Sequence, residues 1–119
     1  MNKTYEISVG EPWDFDGPDG PNKIIAVGEG IVFGPNQLNW GKEYFLLKLR
    51  TPFKMDGELV SLLIASPRYE GDSLDKLISE GCTDGIVRIR EGHNIESGNK
   101  IEPDQVKYCI IGTVKLVEP

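Results

Sequence analysis

Apolar and polar residues alternate with a period of two along most of this chain, the spacing that turns one face of a strand to a core and the other to water. Six segments carry strand signals, most of them with this alternation, and are rich in β-branched, leucine or aromatic residues: Tyr5 to Val9, Lys23 to Phe33, Glu43 to Arg50, Glu58 to Ser66, Gly85 to Arg90 and Val106 to Val117. On the third, Phe45, Leu47 and Leu49 point inward, with Lys48 and Arg50 outward. On the fifth, Val87 and Ile89 point inward and send Arg88 and Arg90 to the opposite face. On the last, Val106, Tyr108, Ile110, Val114 and Leu116 share one face, and Lys107, Cys109, Thr113 and Lys115 the other. The fourth is apolar on both faces from Leu59 to Ala65, which reads as a central strand covered on both sides.

The period changes once. Leu74, Leu77 and Ile78 recur at i, i+3 and i+4, so a short helix is predicted at about 72–80. Asp72 or Ser73 can cap its start, Asp75 meets the positive end of its dipole, and Gly81 can close it. About two turns cannot stand alone in water, so the apolar stripe is expected to lie on the sheet as a plug or lid. Turn chemistry sets further marks. Asp56-Gly57 is a hairpin signal, because both residues tolerate positive φ. Pro52 cannot donate to a ladder and should end or bulge the third strand. Gly28 and Gly30, around Glu29, are where the longest strand can bend or bulge. Gly10 to Asn22, Gly34 to Lys42 and Glu91 to Gln105 remain irregular.

These elements predict a mainly β fold: a single domain over 1–119, an antiparallel β-barrel or roll of about six strands with one short helix. With the first strand set aside, the order is three strands, helix, two strands, which is the element order of an OB-type barrel. The match lies in that order, with no motif behind it, and a sandwich or mixed sheet is the alternative.

Composition narrows the class. The 119 residues and 13.2 kDa suit one core without metal or disulfide staples. Fourteen glycines and eight prolines fit many turns and short elements. Nineteen acidic against 13 basic residues give a net charge of −6, which disfavours nucleic acid and anionic membrane surfaces as partners. The longest mostly apolar run, Leu59 to Ser66, is too short to span a bilayer as a helix. The charged opening residues Lys3 and Glu6 do not resemble a secretory signal, so a cytoplasmic location is expected. Cys82 and Cys109, without CxxC spacing, are expected to be reduced structural thiols.

No motif selects a catalytic set. His93 is the only histidine, and it can serve Cys82 or Cys109 as a base only if the fold brings them within reach; no orienting third group is identifiable. Gly28-Glu29-Gly30 runs into more strand rather than a helix N-terminus, so it is not a phosphate cradle. Asp14, Asp16 and Asp19 crowd one loop, but an extra residue separates Asp16 from Asp19, and Ile25 stands where a calcium loop needs its closing glutamate. They read as turn caps, and no metal or other cofactor is expected. Arg88 and Arg90, with Lys107 or Lys115 on a neighbour, read as solvent-facing charges protecting a sheet.

The outliers are aromatic. Trp13, Phe15 and Trp40 lie in irregular stretches, where a large ring either plugs a barrel end or forms contact surface. Asn36, Gln37, Asn39 and Lys42 around Trp40 offer little core to plug, so Trp40 is expected to be contact surface. The function expected is a small, acidic, soluble, non-enzymatic binding module that recognises a protein partner, a basic one by its charge. Its candidate binding residues are Trp13, Asp14, Phe15, Asp16, Asp19, Trp40 and His93. The rivals are a carbohydrate or small-ligand binder or enzyme using the Trp40 loop and, behind it, a single-stranded nucleic-acid binder on the Arg88 and Arg90 face.

Overall fold

Each alternating segment becomes a strand in the computed structural model, which describes residues 3–9, 23–34, 43–55, 58–67, 73–81, 83–89, 95–102 and 106–118. The strands are β1 (Thr4–Val9), β2 (Lys23–Phe33), β3 (Glu43–Met55), β4 (Glu58–Ala65), β5 (Thr83–Ile89) and β6 (Val106–Glu118), with the helix α1 (Leu74–Glu80) between β4 and β5. The protein is mainly β with one short helix. Every strand pairs antiparallel with its neighbours in sequence, and β6 also pairs with β1 through Tyr5↔Leu116 and Ile7↔Val114, so the order of neighbours returns to its start.

That pairing corrects the OB-like expectation. The element order is present, but an OB barrel is a Greek key, in which a strand returns beside a neighbour distant in sequence. Here β5, after the helix, pairs with β4 and then β6, a plain meander. The physical reason lies in the helix, which packs on β6 and β3 and returns the chain beside the strand it has just left. The first strand, which has no place in the OB order, joins β2 to β6.

The main core cluster holds Tyr5, Ile7, Ile24, Ala26, Phe45, Leu47, Leu49, Val60, Leu63, Ala65, Leu77 and Val114, all buried. A second cluster, Val32, Tyr44, Leu46, Ile64, Ile95 and Ile101, packs on the other face of β2, β3 and β4. Leu63 and Ile64 are both fully buried although they point to opposite faces, as the two-sided apolar pattern of β4 requires.

The change of face along β2 has a single cause. Gly28 pairs with Leu47 but Gly30 with Leu46, so Glu29 is an extra residue on β2. A one-residue slip moves every later side chain to the other face. Ile24 and Ala26 accordingly join the interior and Val32 the outer cluster. Gly28 is required by space: Tyr5 and Phe45 meet edge to face with ring centroids 5.2 Å apart, and a Cβ at Gly28 would strike the Phe45 ring. Gly30 takes φ +136°, a conformation open to glycine.

β3 passes its predicted end at Arg50 and runs to Met55, where it pairs with Glu58 across the Asp56-Gly57 step. Pro52 sits in a break of register between Lys48↔Leu62 and Phe53↔Val60, with four β3 residues against one of β4. β5 begins at Thr83 and ends at Ile89, shifted slightly toward the helix from the predicted segment.

The helix forms where its caps are. Ser73 Oγ accepts from the Lys76 N–H at 3.2 Å, and Gly81 at φ +68° donates its N–H to Leu77 O at 2.9 Å. A Cβ at Gly81 would also collide with the Leu116 backbone. Leu77 is fully buried and Leu74 and Ile78 pack against the interior cluster, so the predicted stripe covers the core. Among the described residues no helix is long and apolar enough to cross a membrane.

Candidate functional site

Trp13, Asp14, Phe15, Asp16, Asp19, Trp40 and His93 all lie outside the described residues, as do Cys82 and Arg90. The strands that carry their connections are described, and these place the attachment points. The 10–22 connection leaves β1 at Val9, beside Gly112, and enters β2 at Lys23, beside Ser8. The 35–42 connection leaves β2 at its other end, after Phe33, and enters β3 at Glu43, the partner of Phe33. The loops of Trp13 and Trp40 are thus attached at opposite ends of an 11-residue strand. They do not share one attachment surface.

Trp40 and His93 differ in this respect. Residues 95–101, which follow His93, run alongside the end of β2: Phe33 and Lys100 form a parallel bridge. The Phe33 N–H donates to Asn99 O at 2.9 Å, Ile101 N–H to Phe33 O at 2.5 Å, and Gly98 N–H to Ile31 O at 2.6 Å. β1 stops near Gly28, whose N–H reaches Lys3 O, and this segment takes over the free edge beyond it. Ile95 and Ile101 anchor it by burying their side chains against Val32, Tyr44, Leu46 and Ile64. The described ends of the connections that carry Trp40 and His93, Gly34 and Ile95, therefore both adjoin one junction, the end of β2 that carries Phe33.

Phe33 is 41% exposed, one of three large hydrophobic side chains that stand out from the described surface. Exposed Glu43 lies opposite it on β3 and exposed Lys100 bridges it on the strapping segment, which also carries the exposed Glu96 and Glu102. Gly34, buried, opens the Trp40 connection, and a Cβ there would run into the Tyr44 ring. Burial raises the Tyr44 phenol above the ordinary tyrosine value of 10.0 by penalising its charged form, so Tyr44 is neutral beneath the junction at neutral pH. The junction offers an exposed ring and carboxylates on a rigid base. That suits contact with a cationic surface.

Sequence reasoning counts Phe33 as one more apolar residue of a strand. A signal for its exposure is present in Gly34-Pro35 directly after it, which ends the strand and leaves its last side chain at a rim. Among the described residues no three histidine, cysteine or carboxylate side chains gather as a metal site. In comparisons with protein-family models, characterised proteins and solved structures, nothing matches this chain.

Proposed function

We propose that this chain is a small acidic binding module that recognises a basic protein partner through aromatic and carboxylate side chains on the connections of a barrel-like frame, with no reaction assigned to it. The barrel reading rests on the pairing of β6 with β1. The binding reading rests on one observation: Phe33 is exposed at the end of β2 where the Trp40 connection departs, with Glu43 opposite it and, on the segment that Lys100 bridges to it, the exposed Glu96 and Glu102. A rigid ladder below and a large ring above is how a binding loop is presented at low entropic cost. Negative charge around the ring steers a basic partner and disfavours an acidic one.

The test is a comparison of four variants in capture from a native lysate and in urea melts. Trp40→Ala and Phe33→Ala should each lose a partner that the parent retains while their melting midpoints stay close to it. Trp13→Ala, at the other end of β2, should retain that partner. Phe45→Ala, buried in the interior, should lower the midpoint clearly, through the ~3–5 kcal/mol of stability lost with a core aromatic. Equal retention by Trp40→Ala, Phe33→Ala and the parent, with all three folded, overturns the reading.

A further inference from the structure

The irregularity at Pro52 opens a gap between two strands. The β2–β3 ladder ends at Ala26↔Leu49, while β3 bulges away from β4 until pairing resumes at Phe53↔Val60. Lys23, Ile24 and Ile25 keep their pairing with β1 on one edge, but the edge that faces β3 has no ladder partner there. Between the diverging strands lies a cleft of about 470 Å³ lined by Lys23, Ile24, Ile25, Arg50, Thr51, Pro52 and Phe53. That volume lies within the range of pockets for small molecules.

The lining has two chemistries. Ile24, buried, Ile25 and Phe53, part-buried, and Pro52 make an apolar wall continuous with the interior core. Lys23 and Arg50 stand exposed on the cleft, and neither has an ion-pair partner among the described residues. Among the described residues no carboxylate lines the cleft. In a chain of net charge −6 this is a local reversal of sign. The guanidinium of Arg50 presents a planar fork of donors suited to a carboxylate, and Lys23 adds a second cation. We infer that this cleft binds a small organic carboxylate with an apolar body, its acid group on Arg50 and Lys23 and its hydrocarbon against Ile25, Pro52 and Phe53. The site is separate from the Phe33 junction, at the other end of β2, and does not depend on the reading of that junction.

Octanoate serves as the probe, followed by amide shifts in a ¹H–¹⁵N spectrum of the full chain. The expected result is saturable shifts centred on Lys23, Ile25, Arg50 and Phe53, weaker binding at high salt, and none that saturates with octylammonium. Acetate, with no hydrocarbon, and 1-octanol, with no charge, should each bind at least roughly tenfold more weakly. Arg50→Gln and Lys23→Gln, both at exposed positions, should each weaken octanoate by roughly tenfold without moving the urea midpoint. Four results overturn the inference: no saturable shift at millimolar octanoate, shifts centred elsewhere, acetate or octanol binding as well as octanoate, or octanoate binding unchanged in both variants.

Discussion

The phenol of Tyr5, on the first strand, donates a hydrogen bond to the backbone carbonyl of Ile78, near the end of the helix. The two residues are 73 positions apart, and the bond ties the helix to the strand that joins β2 to β6. It also satisfies one of the last carbonyls of a helix, which have no partner within it. The Tyr5 ring is fully buried, so Tyr5→Phe keeps the packing against Phe45 and removes only the hydroxyl. We expect a loss of about 1–2 kcal/mol in urea melts, the net value of such a bond plus the cost of the stranded carbonyl. No change in the midpoint would mean that the bond contributes nothing.

Alkaline pH acts on the same group. Burial holds the Tyr5 and Tyr44 phenols above the ordinary value of 10.0, so below that pH both states keep the proton and stability does not respond to these groups. Above it the unfolded chain ionises first. Stability then falls as pH rises from 10.0 through the higher value of the folded state. Melts across this window should show the decline, and Tyr5→Phe should make it shallower. A parent whose midpoint stays level through the window contradicts the assignment.

The helix caps separate two causes of stability. Ser73→Ala removes one bond to the Lys76 N–H and should cost about 1 kcal/mol. Gly81→Ala adds a Cβ at positive φ and against the Leu116 backbone, and should cost more than the cap. Thermal melts of the two rank them, and the reverse order would mean that the close approach to β6 is relieved at no cost.

Hydrogen exchange probes the strap over β2. The amides of Gly98 and Ile101, bonded to Ile31 and Phe33, should exchange slowly, although both lie in a stretch without regular structure. Ile101→Ala should release both and cost about 2–5 kcal/mol, as for a buried core isoleucine. Fast exchange at both positions in the parent would show that this segment is not held on β2.

Much of the fold is legible in the residues alone because its signals are local. Alternation in Phe45, Leu47 and Leu49 marks the buried face of β3, two-sided apolarity marks β4 as covered, and Ser73 with Gly81 marks the helix ends. Gly28 and Gly30 point to the bulge, and Asp56-Gly57 to the hairpin that joins β3 to β4. The candidate site is less legible. Trp40 and His93 stand out as loop residues, and chain order alone puts the Trp13 and Trp40 loops at opposite ends of β2, but only the bridge between Phe33 and Lys100 shows that the segment after His93 lies along the end of β2 from which the Trp40 loop departs. Pairing depends on hydrogen bonds between backbones, which are chemically alike at every residue, so the sequence does not say which strands become neighbours. The choice between a Greek key and a meander, the role of Thr4–Val9 between β2 and β6, and the cleft beside Pro52 are consequences of that pairing, and tertiary structure alone decides them.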